Sequence, residues 1–186
     1  MNLGRVHALA VGERKLMTAI GKRTVSDAVA VLPLGLAGDE QADLTVHGGL
    51  EKAVYAYPGE HYTYWQAERS RRGVSLFDEA LPPGFAGENL TLTGLLEADV
   101  WVGDELHFPD CVLRVTAARE PCGKLNAVIG YAQAARDMVQ SGRSGFYMAV
   151  QVPGSVKAGQ RFVLVAGRRN VSVLQSLGAK RAKHRE

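Results

Sequence analysis

The chain has 186 residues, 46% of them apolar and 22% charged, with a formal net charge of +3. At roughly 100–200 residues per domain this is one domain able to bury a core, and the balance excludes a disordered chain. No apolar run reaches the ~18 residues of a membrane-spanning helix, and residues 1–7 lack the basic-then-apolar order of a secretory signal, so no membrane association is expected.

Short apolar runs, alternating or rich in β-branched residues, lie between turns of Gly, Pro and Asp. Taken along the chain they span 5–11, 28–34, 52–57, 89–93, 105–116, 146–152 and 161–165. This spacing predicts an all-β barrel or sandwich rather than a βαβ layer. Two helices interrupt it. The first follows Pro58-Gly59-Glu60, with His61, Tyr64, Trp65 and Glu68 at helical spacing and Gly73 closing it. The second runs over 131–140 with Ala135, Met138 and Val139 as its apolar stripe, ending near Gly142. Residues 1–175 read as a single domain and 176–186 as a basic, solvated tail. Arg168, Arg169, Lys180, Arg181, Lys183 and Arg185 against Glu186 put residues 168–186 at +5, so the body over 1–167 carries a net −2. A body without a basic face is not expected to bind nucleic acid.

Two cysteines are too few for a disulfide scaffold or an iron–sulfur cluster, and a reducing, cytoplasmic setting fits them best. If the chain between Cys111 and Cys122 is extended, they lie roughly 30 Å apart and cannot pair. In 111–116, Cys111, Leu113 and Val115 share one face, which makes Cys111 a core thiol. Cys122 is different. Pro121 fixes the backbone before it, Gly123 allows close approach after it, and Arg119 and Lys124 place two cations within a few residues. Cations stabilise a thiolate, the form that attacks or binds a metal. The alternative is a small loop cysteine between two ordinary surface cations.

Three glycine-rich loops share this polar character: Val46-His47-Gly48-Gly49 leading through Lys52, Gly84 to Leu90 with Glu88 and Asn89, and Ser141 to Phe146 with Arg143. Glycines beside Arg, Lys, His and Asn suit an anionic ligand met by backbone N–H groups. Neither the P-loop nor the G-x-G-x-x-G spacing occurs. The histidines at 7, 47, 61, 107 and 184 form no zinc spacing with one another or with the cysteines.

In order along the chain, Gly35-Leu36-Ala37-Gly38-Asp39-Glu40, Val46-His47-Gly48-Gly49, Tyr57-Pro58-Gly59-Glu60-His61, Gly87-Glu88-Asn89-Leu90, Gly103-Asp104, Arg119-Glu120-Pro121-Cys122-Gly123-Lys124-Leu125 and Gly142-Arg143-Ser144-Gly145-Phe146-Tyr147 resemble the MOSC family, the domain named after the C-terminal part of molybdenum-cofactor sulfurase. The nearest likeness is to its bacterial YiiM-type subgroup. The resemblance implies a closed, mostly antiparallel β-barrel of the pyruvate-kinase-barrel type with a few short helices. It further implies a molybdenum cofactor (molybdopterin) in a cationic pocket, with Cys122 as the molybdenum ligand. His47, Gly48, Gly49, Lys52, Glu88, Asn89, Arg119, Lys124 and Arg143 are then expected to contact the cofactor, and pyridoxal phosphate is not expected. The implied reaction reduces N-hydroxylated small molecules, including base analogues such as 6-hydroxylaminopurine, to amines. A soft thiolate suits a high-valent molybdenum centre.

The chain carries neither cluster-binding cysteines nor a flavin fingerprint, so electrons are expected from a separate ferredoxin- or flavin-type protein. Two departures from the subgroup stand out. Its relatives continue into a helical C-terminal segment beyond the point where this chain stops, and they often carry a larger side chain where this chain has Gly123. Two competing readings remain: a sulfur carrier using a Cys122 persulfide, and a non-enzymatic barrel binding an acidic partner through its basic tail.

Overall fold

The computed structural model describes residues 2–3, 7–11, 14–40, 48–75 and 80–181. Its strands are β1 (Asn2–Leu3), β2 (His7–Val11), β3 (Arg14–Thr18), β4 (Arg23–Thr24), β5 (Val29–Leu32), β6 (Gly35–Leu36), β7 (Val54–Pro58), β8 (Leu90–Leu92), β9 (Glu105–His107), β10 (Val112–Ala118), β11 (Phe146–Val152), β12 (Gly154–Val156) and β13 (Val163–Val165). Four short α-helices, α1 (His61–Arg71), α2 (Lys124–Ile129), α3 (Ala134–Ser141) and α4 (Val173–Arg181), lie among them. No described helix is long and apolar enough to cross a membrane.

The fold is mainly β, but the closed barrel expected from the resemblance is not reached among the described residues. The central sheet has the order β13-β9-β10-β11-β7-β8 and is open, with β13 and β8 as its edges. A three-stranded sheet, β12-β5-β6, and the β1-β4 and β2-β3 pairs are separate ladders. Pairing is antiparallel except between β7 and β8. The run over 105–116 is a hairpin rather than one strand. The chain turns at Pro109-Asp110, and Leu113 returns opposite Leu106.

Strand β7 and the first half of β11 are buried on both faces, and this divides the interior in two. Val54 and Ala56 of β7, with Phe146 and Met148 of β11, join Leu113, Val115 and Val31 in the larger core. The alternate residues Tyr55, Tyr57 and Tyr147 face the opposite side, where Trp65, Leu125, Ile129 and Met138 of the first three helices cover them. Helix α1 lies where expected, closed by Gly73 at φ 67°. Helix α3 is shorter than expected but carries the stripe Ala135, Met138 and Val139, and Gly142 ends it at φ 78°. Cys111 is buried with Leu113 and Val115, as the alternation predicts. Leu113→Ala, at a fully enclosed site, is expected to destabilise the fold by about 3 kcal/mol, read from the denaturant midpoint at unchanged m-value.

The boundary drawn at residue 176 falls inside α4, so residues 176–181 continue a helix. Val173 and Leu177 insert into the larger core. Ser172 and Gln175 cap the helix reciprocally. The Ser172 Oγ accepts from the Gln175 N–H at 3.0 Å, and the Gln175 Oε1 accepts from the Ser172 N–H at 2.8 Å. Residues 182–186 of the basic tail lie outside the described residues.

Candidate active site

Strand β10 carries the chain to Cys122, and a bulge in β10 decides which way it faces. Leu113 and Val115 point into the larger core, yet so does Ala118, three residues on and therefore out of phase. The register against β11 slips between Val115 and Ala117. A bulge inserts one residue and reverses the facing of everything after it. Without it Arg119 would enter the apolar core. With it, the guanidinium crosses to the tyrosine side and lies 5.1 Å from the Tyr55 ring centroid. The Thr116 hydroxyl at the bulge approaches the Tyr147 carbonyl at 3.0 Å and the Glu51 carbonyl at 2.5 Å, which ties the turn before Lys52 to the strand. Ser176 of α4 accepts the Ala118 N–H at 3.2 Å.

Beyond β10, residues 119–123 cross to α2, and Cys122 stands half-buried at the wall of a cleft. The cleft encloses about 640 Å³, its mouth included. Tyr55 and Tyr147 form part of its lining, their rings 5.5 Å apart because β7 and β11 place them directly opposite each other. Four cations, Lys22, Lys52, Arg119 and Lys124, share the lining with two carboxylates, Asp39 and Glu40. Arg119 is 4% exposed. It donates to the Ala86 carbonyl at 3.3 Å and hydrogen-bonds the Tyr147 hydroxyl. No carboxylate lies within ion-pair distance of it among the described residues. Burial opposes its charge, but the Tyr55 and Tyr147 hydroxyls and the Cys122 thiol together hold its pKa above the ordinary value. Lys22 is the reverse case. Burial lowers its pKa despite the Asp39 carboxylate 2.6 Å away. The Asn89 side chain locks this pair in place, its Nδ2 donating to Asp39 at 2.8 Å and its Oδ1 accepting the Tyr55 N–H at 3.0 Å.

Of the residues marked in the sequence, Gly48, Lys52, Asn89, Arg119, Cys122 and Lys124 line this cleft. Gly49 adjoins it as the residue before the 3₁₀ turn Leu50–Lys52, at φ 81°. His47 lies outside the described residues. Glu88 does not line the cleft. Its carboxylate is fully buried and accepts from the Gly84 N–H at 2.8 Å, the Ala86 N–H at 3.1 Å and the Tyr62 hydroxyl. Burial pushes its pKa up, and the hydrogen bonds from Tyr62, Gly84 and Thr91 oppose this. It holds its own loop together. Arg143 is also placed elsewhere, its guanidinium 4.2 Å from the Tyr64 ring centroid on α1. Lys22, Asp39, Glu40, Tyr55 and Tyr147 enter the cleft without having been marked as site residues. Only long-range pairing brings them there, and neither Lys22 nor Tyr55 belongs to a motif.

The two thiols differ in what they can do. Burial, and after it the Asp110 charge, raises Cys111 to about 11. At pH 8 Cys111 is therefore a neutral, enclosed thiol, and iodoacetamide should modify Cys122 alone in the native protein. Both cysteines should react in denaturant, as mass spectrometry would show.

The MOSC domain family model matches residues 43–163, which include the cleft residues from Gly48 to Tyr147 but not Lys22, Asp39 and Glu40. The protein YiiM of Escherichia coli is 36% identical over 173 residues, covering 93% of this chain and 74% of that protein. A protein of Gibberella moniliformis named as a reductase is 34% identical over 163 residues, covering 87% of this chain and 28% of its own length. The crystal structure of YiiM from Geobacillus stearothermophilus superposes with a TM-score of 0.75 at 30% identity, covering all of this chain and 83% of that one. With most of the cleft, Cys122 and Arg119 included, inside the matched segment, and relatives this similar over most of its length, the chain belongs to the MOSC domain family, in its YiiM-type branch.

Proposed function

We propose that the chain is a molybdenum-cofactor-dependent reductase of N-hydroxylated compounds. The observation that carries this reading is the pairing, in one cleft, of a half-buried thiol with a buried guanidinium that no described carboxylate neutralises. A buried cation of this kind calls for an anion, and a thiolate calls for a soft metal. A cofactor joining a phosphate to molybdenum meets both demands, so the residues fit the group. The family and the relative named as a reductase support the same direction.

In this reading the Cys122 Sγ ligates the metal. Arg119, Lys52 and Lys124 offset the negative charge of the phosphate, Lys22 being engaged by Asp39, and the Gly48-Gly49 backbone lets the ligand approach closely. Asn89 acts through Asp39 and β7, since its amide is already engaged there. Tyr55 and Tyr147 wall the inner side and keep water from Arg119, which strengthens its pull on an anion. When bound, the cofactor supplies two-electron chemistry at an N–OH group: two electrons and two protons give N–H and release water. The electrons come from a separate ferredoxin- or flavin-type protein, and a reducing, cytoplasmic setting keeps the thiol available.

The test uses chain made in a host that synthesises the cofactor, reduced with a chemical donor and given 6-hydroxylaminopurine. Formation of adenine, followed by chromatography, is the expected result. Molybdenum-loaded protein that leaves the substrate unchanged would overturn the assignment, and labile sulfane sulfur on molybdenum-free protein would favour the sulfur carrier.

A further inference from the structure

The loop Gly142-Arg143-Ser144-Gly145 does not reach the cleft with its side chains, yet buried groups grip its backbone at three successive residues. The Tyr57 hydroxyl donates to the Arg143 carbonyl at 3.2 Å, and the Tyr55 hydroxyl to the Ser144 carbonyl at 2.8 Å. The Gly145 N–H donates to the Glu97 Oε1 at 2.6 Å. The Gly145 carbonyl in turn accepts the Arg119 N–H at 3.1 Å, the last backbone link before the chain leaves the sheet for Cys122. Glu97 cannot turn away from this task. Its second oxygen is held by the His61 Nε2 at 2.8 Å, and both side chains are almost wholly enclosed.

From this geometry we infer that Glu97 is a positioning residue for the Arg119–Cys122 segment, acting through the backbone of Gly145. A buried carboxylate is expensive to keep, and here both oxygens are used. One meets a buried N–H that has no ladder partner in this turn, and a charged acceptor makes that bond about twice as strong as a neutral one would. The chain of contacts runs from His61 through Glu97 and Gly145 to the backbone of Arg119, whose guanidinium supports the cleft. Glu97 does not line the cleft and touches no reacting group there. Its contribution is to keep the end of β10 from loosening.

The inference rests on the reading that the Cys122 cleft is the working site, but its test needs no cofactor and no turnover. Cofactor-free chain is prepared as wild type, Glu97→Ala, Glu97→Gln and Val31→Ala. The last is a core change in the separate β12-β5-β6 sheet that lowers stability away from the 142–145 loop. Two quantities are read below the unfolding range: hydrogen exchange at the Arg119 amide by NMR, and the rate of Cys122 alkylation by iodoacetamide. Glu97→Ala should raise Arg119 exchange about 10-fold beyond the Val31→Ala control and speed alkylation several-fold, because the segment opens locally. Glu97→Gln keeps a neutral acceptor oxygen for Gly145 and should bring both readings part of the way back towards wild type, between Glu97→Ala and the native chain. Should Glu97→Ala not fold, Glu97→Asp, whose reach is one methylene shorter, is read by the same criterion. Equal exchange and alkylation in the Glu97 variant and the control, or a Gln variant no better than Ala, would overturn the inference. A protein that passes this test yet binds no molybdenum would keep the positioning role and lose the proposed reaction.

Discussion

Cys122→Ser should lower molybdenum retention and N-hydroxyl reduction by at least roughly 100-fold while leaving the fold unchanged. Even partners of metal ligands cost 10–100-fold when removed, and here the ligand itself is lost. The hydroxyl is a hard donor that stays protonated at neutral pH, so it replaces a soft thiolate poorly. The structure also says why stability should hold. Cys122 is half-buried in a loop and lies outside both apolar clusters, so an isosteric change there should alter stability by no more than about 0.5 kcal/mol. Thermal unfolding measured beside metal content separates the two effects. Near-wild-type metal content in a folded serine variant would remove Cys122 from the ligand set.

A large structural effect is expected at Gly145. Its φ is +66°, a region in which side-chain-bearing residues are strained, and an added Cβ would fall inside the van der Waals sphere of the Ala56 carbonyl oxygen. The aromatic rings of Tyr55 and Tyr57 close in from the other side, 2.9 Å from the same point. Backbone strain and overpacking together put Gly145→Ala at about 3 kcal/mol of destabilisation. For a domain of this size the melting temperature should fall by roughly 10 °C. The same change pushes on the backbone that bonds Arg119, so Cys122 alkylation should also speed up. Gly123→Ala is the natural control. Gly123 has φ −57°, and a Cβ there meets nothing within 4 Å, so it should melt close to wild type.

The strands whose two faces differ were readable from alternation, and 111–116 is the clearest case. Strands β7 and β11 showed only as apolar runs, because each faces one core with even residues and the other with odd ones. That double burial erases the period-two signal but explains why tyrosines sit between aliphatic residues in Val54–Pro58. Helix α4 has a sequence signal in Ser172 and Gln175, but the basic charge that follows reads as a solvated terminus. The bulge in β10 had none, since a bulge is a relation between two strands and depends on the register against β11. For the site, Cys122, Arg119 and Lys124 were legible as neighbours in sequence. Lys22 and Asp39 were not, because their ion pair depends on how the 84–89 loop and β6 come together. Glu88 and Arg143 were placed in the cleft because a motif carries no information about where a side chain points. One is consumed by its own loop, and the other stacks on α1. What matters in the 142–145 segment is its backbone.

The proposal makes one cysteine in a cationic cleft the attachment point of a metal cofactor, and elemental analysis addresses that directly. Protein purified from a cofactor-synthesising host should carry molybdenum stoichiometric with the chain, together with pterin fluorescence after oxidation, and Cys122→Ser prepared in parallel should carry neither. Wild-type protein from that host with no molybdenum and no pterin would contradict the account.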